Sequence, residues 1–402
     1  MKRDPANDAA WADLLRLWDI RPDTIYLNHG SFGPPPAAVR ELRDRWQRRL
    51  DTQPMEFFVR EFEPAWLSAR GKLAEFVGGA PTNLIFAENA TVGMNIVADS
   101  FPLAAGDEVL LTDHEYGAVK RIWERACSQA GAAVHTVELP LPLSQDVANV
   151  ILAAVKERTR LIVVSHITSP TAAVLPVAEI CRQARRRGIA VAIDGPHAIA
   201  QVPLAIDELD CDFYTASCHK WLSGPFGSGF LYVAPRQQSH VRPPVLSWGR
   251  IPPTKIDCWS DEFVWSGTRN PVAYLAIPAA IEFLQHVGVD EFRTRTHWLA
   301  QYARRRLVEL TQRQPLVLDD PAWYGSMGHV PLPPPAGGRV GGESCPVSNP
   351  LQNTIWQRLG IEVPVVEFRG VRYLRVSCHL YNDTEQIDRL VKGLKSLLDE
   401  GL

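Results

Sequence analysis

No two of the seven cysteines have CxxC spacing, and they are scattered over 402 residues. An odd, dispersed set argues against a disulfide framework or a zinc ribbon and reads as reduced thiols packed as small apolar groups. None of the eleven histidines falls in HExxH or a comparable ligand spacing, so no metal site is indicated. Long apolar runs are missing as well: none approaches the roughly 18 residues of a membrane span. Met1-Lys2-Arg3-Asp4 opens on basic residues, but no apolar signal core follows, and a cytoplasmic location is expected. Positive charge is not in excess. The net charge of -3 gives no electrostatic reason to expect nucleic acid as a partner. The basic runs Arg185-Arg186-Arg187 and Arg304-Arg305-Arg306 fall in helix-like segments and read as solvated faces.

What is present is an ordinary globular composition, with length for two or three domains. From about residue 80 to 235, short apolar runs alternate with amphipathic segments of helical length. Strands are expected at 84–87, 107–112, 133–139, 160–166, 189–194, 211–216 and 228–234, and helices at 92–100, 116–130, 146–158 and 176–187. Such alternation argues for a mostly parallel sheet covered on both faces. Beyond it, 275–312 reads as long helices. Residues 315–402 read as a smaller α+β unit with a helix near 350–359, strands near 361–368 and 371–377, and a closing helix from about 383. The Pro/Gly-rich stretch 331–342, with its Gly-rich run 337–342, reads as a loop.

Ligands of mostly parallel sheets gather at the carboxyl ends of strands. Asp194, Ser217 and Lys220 fall at or just after such ends, and so do His114 and Tyr116. Lys220 sits in Ser217-Cys218-His219-Lys220-Trp221, and Asp194 closes an apolar run in Asp194-Gly195-Pro196-His197. Alone, the lysine would be a solvated charge and the aspartate a helix cap. Together they match what pyridoxal 5'-phosphate (PLP) requires: a lysine to form the Schiff base and an acid to hold the pyridine nitrogen protonated.

The chain resembles the class V aminotransferase superfamily of fold-type I PLP enzymes, and within it the isopenicillin N epimerase-like and cysteine desulfurase-like subgroup. The likeness rests on Tyr26-Leu27-Asn28-His29-Gly30-Ser31-Phe32-Gly33, Glu88-Asn89-Ala90-Thr91, Asp113-His114-Glu115-Tyr116-Gly117-Ala118, Ser165-His166-Ile167-Thr168-Ser169-Pro170-Thr171, the two motifs above, Ser247-Trp248-Gly249 and Trp265-Ser266-Gly267-Thr268-Arg269. It implies an α/β fold: a seven-stranded, mostly parallel sheet between helices in a large PLP-binding domain (25–275), a small α+β domain (276–402), and an N-terminal segment (1–24) packing with the latter. It also implies a homodimer with shared sites. Ala90, Thr91, Ser217 and His219 would hold the cofactor phosphate, joined by Gly267 and Thr268 from the partner subunit. Tyr116, with His114 as the alternative, would lie over the pyridine ring, His197 would bond the phenolic oxygen, and Thr168 would touch the cofactor. Arg375 would clamp the substrate carboxylate, with Asn28, His29 and Gly30 nearby; an interdomain ion pair is the plainer role for Arg375, and a turn the plainer role for the segment 28–31. Trp248 is a candidate wall of the pocket.

The chain departs from the desulfurase pattern. Ser169 stands where many desulfurases have Asn, Asn270 where the subgroup commonly has Asp, and no cysteine lies near Gly360, where the persulfide-forming cysteine would be; Cys345 is the remaining substitute. The expected activity is therefore chemistry at the α or β carbon of an amino acid, as a carbon–sulfur lyase or an epimerase, with Lys220, Asp194 and Tyr116 catalytic. Transamination and a Cys345-dependent desulfurase are alternatives. A non-catalytic PLP sensor is a reading of another class. It is disfavoured because too few residues precede the cofactor domain for a DNA-binding module.

Overall fold

The computed structural model describes residues 3–335 and 349–402. The Gly-rich run 337–342 and Cys345 lie outside the described residues. A two-residue strand, β1 (Ile25–Tyr26), comes first. The alternating segment yields β2 (Leu84–Ala87), β3 (Glu108–Thr112), β4 (Ala133–Val137), β5 (Thr159–Ser165), β6 (Ala190–Asp194), β7 (Phe213–Ser217) and β8 (Gly229–Val233). These seven form one sheet in the order β2-β8-β7-β6-β5-β3-β4, in which β8 runs antiparallel to both neighbours and the other pairings are parallel. Toward the carboxyl terminus, β9 (Met327–Pro331), β11 (Val365–Phe368) and β12 (Val371–Ser377) form a small antiparallel sheet, while β10 (Ile361–Glu362) pairs with β1.

The large sheet is apolar on both faces because both are covered. Val109, Leu111, Leu161, Val163 and Ala192 pack with the helices Ala90–Ser100 and Gly117–Ala130. Their neighbours Leu110, Ile162, Val164, Val191 and Ile193 pack with Phe62–Phe76, Val177–Arg186 and Ile277–Val287. Period-two alternation thus feeds two cores from each strand. The helix Val177–Arg186 buries Val177, Ile180, Cys181 and Ala184, one stripe at helical spacing. The small sheet packs against Val289–Thr311 and Thr384–Asp399 through Leu299, Ala303, Leu307, Ile387, Leu390 and Leu394. Among the described residues no single helix is long and apolar enough to cross a membrane.

Three details differ from expectation. The helix expected at 146–158 stops early, at Val147–Ala153, because the Lys156 amide is taken by Thr159 Oγ1 (2.9 Å) and the chain turns into β5. Arg304 is not solvated: it is buried, with its guanidinium on the Val317 carbonyl and over the Tyr324 ring. Trp248 is 62% exposed and packs in no core.

Candidate active site

Neighbouring strand ends assemble the site. In the sheet register Ser165 lies beside Asp194, and Asp194 beside Thr215. Lys220 follows β7 in a tight turn, where Ser223 N–H donates to the Lys220 carbonyl and Gly224 N–H to the Cys218 carbonyl (2.8 Å each). Ser223 takes a left-handed φ of 57° to close it. The 28–33 segment clamps this turn from outside: Gly33 N–H donates to the His219 carbonyl (3.1 Å) and His29 Nε2 to the Lys220 carbonyl (3.0 Å). His29 Nδ1 then accepts from the Tyr381 hydroxyl (2.9 Å), and the ring stacks on His379 at 3.9 Å. His29 is wholly buried, with both nitrogens bonded to protein. Gly30 is needed for closeness: a Cβ there would lie 2.9 Å from Ser377 Oγ.

The Lys220 side chain points at His197, Nζ to Nε2 3.2 Å, and the Trp221 indole N–H donates to His197 Nδ1 (3.2 Å). Burial, reinforced by the nearby Arg375, pulls the lysine pKa down to about 8, while Asp194 opposes the fall. Burial pushes the Asp194 carboxyl up to about 7 against the pull of Lys220. Among the described residues no cation lies within ion-pair distance of that carboxylate. Sequence reasoning missed a second buried acid. Glu115 accepts from Thr112 Oγ1 and Ser165 Oγ (2.6 Å each), and burial raises its carboxyl to about 7, with Asp194 adding to the effect. It lay inside a quoted motif, but nothing in its spacing says that it turns inward.

At the other end of the site lies the amino terminus of the helix Ala90–Ser100. Asn89 Oδ1 caps Val92 N–H (3.0 Å) and Ser217 Oγ accepts from Ala90 N–H (3.0 Å). The Thr91 amide is left free, and Thr91 is exposed. A Cβ on Gly93 would fall 2.0 Å from Thr215 Oγ1, so glycine lets the helix end approach β7. The buried Nδ1 of His219 has no partner. Free amide, helix dipole and donor side chains suit an anion such as a phosphate.

The small sheet supplies Arg375 from β12. It is 4% exposed, donates to the Ser169 carbonyl (2.5 Å) and to Ser31 Oγ (3.1 Å), and leaves Nε unpartnered. No carboxylate lies within ion-pair distance of it among the described residues, so the interdomain ion pair is absent. Asn28 Oδ1, Ser377 Oγ and His329 Nε2 are buried without partners as well, and His329 is paired with Arg375 in register. His114 is buried, with Nδ1 on Thr171 Oγ1 (2.7 Å) and its ring 4.5 Å from Phe368. Tyr116 is 49% exposed and close enough to Arg375 to affect its charge. Thr168 is buried, its hydroxyl held by Thr171 Oγ1 (2.6 Å) and the Ala173 amide (2.9 Å). Gly267 (φ 102°) and Thr268 lie toward solvent, with nothing within 4 Å of a Cβ placed on Gly267.

The family model for class V aminotransferases, described as Aminotransferase class-V, matches residues 54–326. The chain belongs to the class V aminotransferase family. In this family it is 37% identical to the isopenicillin N epimerase of Amycolatopsis lactamdurans, over 96% of this chain and 98% of that one. It is 30% identical to a putative L-cysteine desulfhydrase 1 of Oryza sativa subsp. japonica, over 93% of this chain and 83% of that one. Among solved structures, a C-DES mutant with glycine covalently linked to its PLP cofactor superposes with a TM-score of 0.81 at 24% identity, covering 93% of this chain and 97% of that one. That likeness carries the fold: a large sheet between helices with a smaller carboxyl-terminal sheet.

Proposed function

We propose that this class V chain is a PLP-dependent enzyme acting at the α or β carbon of an amino acid, as a carbon–sulfur lyase or an epimerase on a modified amino acid. The observation that carries the reading is Arg375: a buried guanidinium without a carboxylate among the described residues, near a partly buried amine whose pKa is pulled down. A buried charge left unpaired by its own protein is costly, and a substrate carboxylate would complete it bidentately.

The residues fit the cofactor. Asp194 offers a buried carboxylate with no cation within ion-pair distance among the described residues, and the Thr91 amide, Ala90, Ser217 and His219 would form an anion cradle. PLP, when bound, supplies an electron sink for the pair left at the substrate α carbon. Lys220 would carry the group and then serve as base, since a neutral Nζ takes the α proton. Asp194 would hold the ring nitrogen protonated. Return of a proton to the opposite face needs a second acid, for which Tyr116, half-exposed and near Arg375, is the candidate. Loss of a β substituent instead gives a lyase. Transamination is the second reading, favoured by the family model itself.

The homodimer belongs to the same proposal. Gly267, half-buried, and Thr268, exposed, would complete the partner's phosphate site. Borohydride reduction followed by peptide mapping should place the pyridoxyl group on Lys220, and another lysine would sink the assignment. A substrate screen reading pyruvate and ammonia, loss of chirality, and keto-acid-dependent amine transfer together separates the three fates.

A further inference from the structure

The hydrogen bonds around Lys220 can be counted proton by proton. An indole N–H only donates, so His197 Nδ1 accepts from Trp221. An imidazole whose Nδ1 accepts carries its proton on Nε2. An imidazolium would set a second hydrogen against the indole N–H. Nε2 therefore donates, and the atom 3.2 Å away is Lys220 Nζ. To accept, Nζ must offer a lone pair. An ammonium has none.

We infer that Trp221 is a positioning residue whose indole N–H locks His197 in the Nε2–H form and so favours the neutral, nucleophilic form of the Lys220 amine over the ammonium before any cofactor arrives. The device is rigid. Trp221 is wholly buried, with its ring 5.2 Å from His29 and stacked at 6.4 Å on His379, and a Cβ on Gly30 would touch its edge at 3.4 Å. It cannot swing away and leave His197 free to exchange tautomers. The other charges around the amine divide: Arg375 disfavours an ammonium and Asp194 favours one, while His219 feels the lysine charge from the same loop. The indole–imidazole pair adds to Arg375 and opposes Asp194. It also makes His197 a donor, not an acceptor, toward whatever binds beside Lys220.

The inference goes beyond the proposed function, because the proton count belongs to the cofactor-free chain. Its test is correspondingly separate. In full-length, cofactor-free protein labelled with 15N-histidine, the His197 resonances (assigned by their loss in His197→Gln) should show a pyridine-type Nδ1 and a pyrrole-type Nε2. The reverse pattern, or an imidazolium at neutral pH, overturns the proposal whether or not Trp221→Phe folds. In Trp221→Phe the Nδ1–H form should become populated and Lys220 should hold its proton more tightly. Reductive methylation by formaldehyde and cyanoborohydride at pH about 7, read on the Lys220 peptide by mass spectrometry, should then slow by about tenfold, one unit of amine pKa. Trp221→Phe placed in the His197→Gln background should change that rate by less than about twofold, since a glutamine amide has no tautomer to lock. An equal slowing in both backgrounds would show that Trp221 acts through packing and would overturn the lock.

Discussion

Immediately around the Lys220 amine and its backbone the polar atoms are paired. Lys220 Nζ, both nitrogens of His197, both nitrogens of His29 and the Trp221 indole all have partners. On the arginine side Arg375 Nε, His329 Nε2, Asn28 Oδ1 and Ser377 Oγ are buried and have none among the described residues. Buried polar groups in proteins are normally satisfied, so a cluster of exceptions asks for an explanation. The difference assigns the work. The lysine side is finished before any ligand binds, which suits groups that must hold one protonation state and one geometry. By the proposal, a substrate would complete the arginine side. Among the described residues His219 Nδ1 and His379 Nδ1 are unpartnered too, and in the proposal His219 would serve the phosphate.

The largest effect is expected on the finished side. Lys220→Ala removes both anchor and base, and turnover should fall by at least about 10⁴-fold, measured with whichever substrate the screen identifies. Residual turnover within about a hundredfold of wild type would move the chemistry to another residue.

Asp194→Asn separates stability from function at the buried acid next to that pairing. Turnover should fall by about 10³-fold in protein that still binds cofactor, because the ring nitrogen loses its charged partner. The cofactor-free fold should respond the other way. The Asp194 pKa is raised by burial from 3.8 to about 7, so between these values the folded chain holds a proton that the unfolded chain has lost. Stability contributed by the acid is therefore full below pH 3.8 and lost as pH rises through about 7. Above that the buried carboxylate costs the fold about 2–4 kcal/mol. Cofactor-free Asp194→Asn should melt higher than wild type at pH about 8, and the gap should close toward pH about 4. A gap independent of pH would mean that the acid is not desolvated as described.

Arg375→Lys probes the open side and should do less. Burial lowers the Arg375 pKa to about 10, which still leaves the guanidinium charged at neutral pH. A lysine in the same place starts from a lower pKa and lacks the fork that grips a carboxylate at two points. A loss of about 10- to 100-fold in kcat/KM is expected, mostly through KM, with spectrum and loading unchanged. An effect on kcat alone would place Arg375 with the chemistry and erase the contrast between the two sides.

The large sheet was readable because strands covered on both faces are nearly unbroken apolar runs: β5 carries Leu161, Ile162, Val163 and Val164, all wholly buried, in a row. The helix Ala37–Thr52 was not: its stripe of Val39, Leu42, Trp46 and Leu50 is thin and set among charged residues, and only Val39 is fully buried. β9 was hidden by Pro331, which reads as a loop yet closes an edge strand where no ladder donor is missed. Within the site, Lys220, Asp194 and Arg375 carry charge that makes them conspicuous in sequence. The inward turn of Glu115 and the indole bond of Trp221 depend on side-chain direction, which spacing does not encode. His29 shows the same limit: its motif placed it near the site, but only coordinates show that it braces the lysine backbone.

The smallest effect is expected from cysteine. A persulfide-forming desulfurase needs a thiolate that can reach substrate, and the thiol pKa decides whether one exists. Cys218 and Cys378 are wholly buried, and burial raises both thiols, Cys378 to about 12. Cys127 and Cys181 are raised by burial to about 11 and about 12, and Cys211 is raised as well. Cys258 is exposed and directs its sulfur at Asp261 (3.2 Å). None of these six is a poised nucleophile beside Lys220, so a desulfurase reading rests on Cys345 alone. Cys345→Ser should leave turnover within about threefold, under ~1 kcal/mol of barrier. If it instead abolishes sulfur release while Lys220 still exchanges substrate, the incomplete arginine side serves a persulfide-forming enzyme, and the lyase-or-epimerase proposal gives way to a desulfurase.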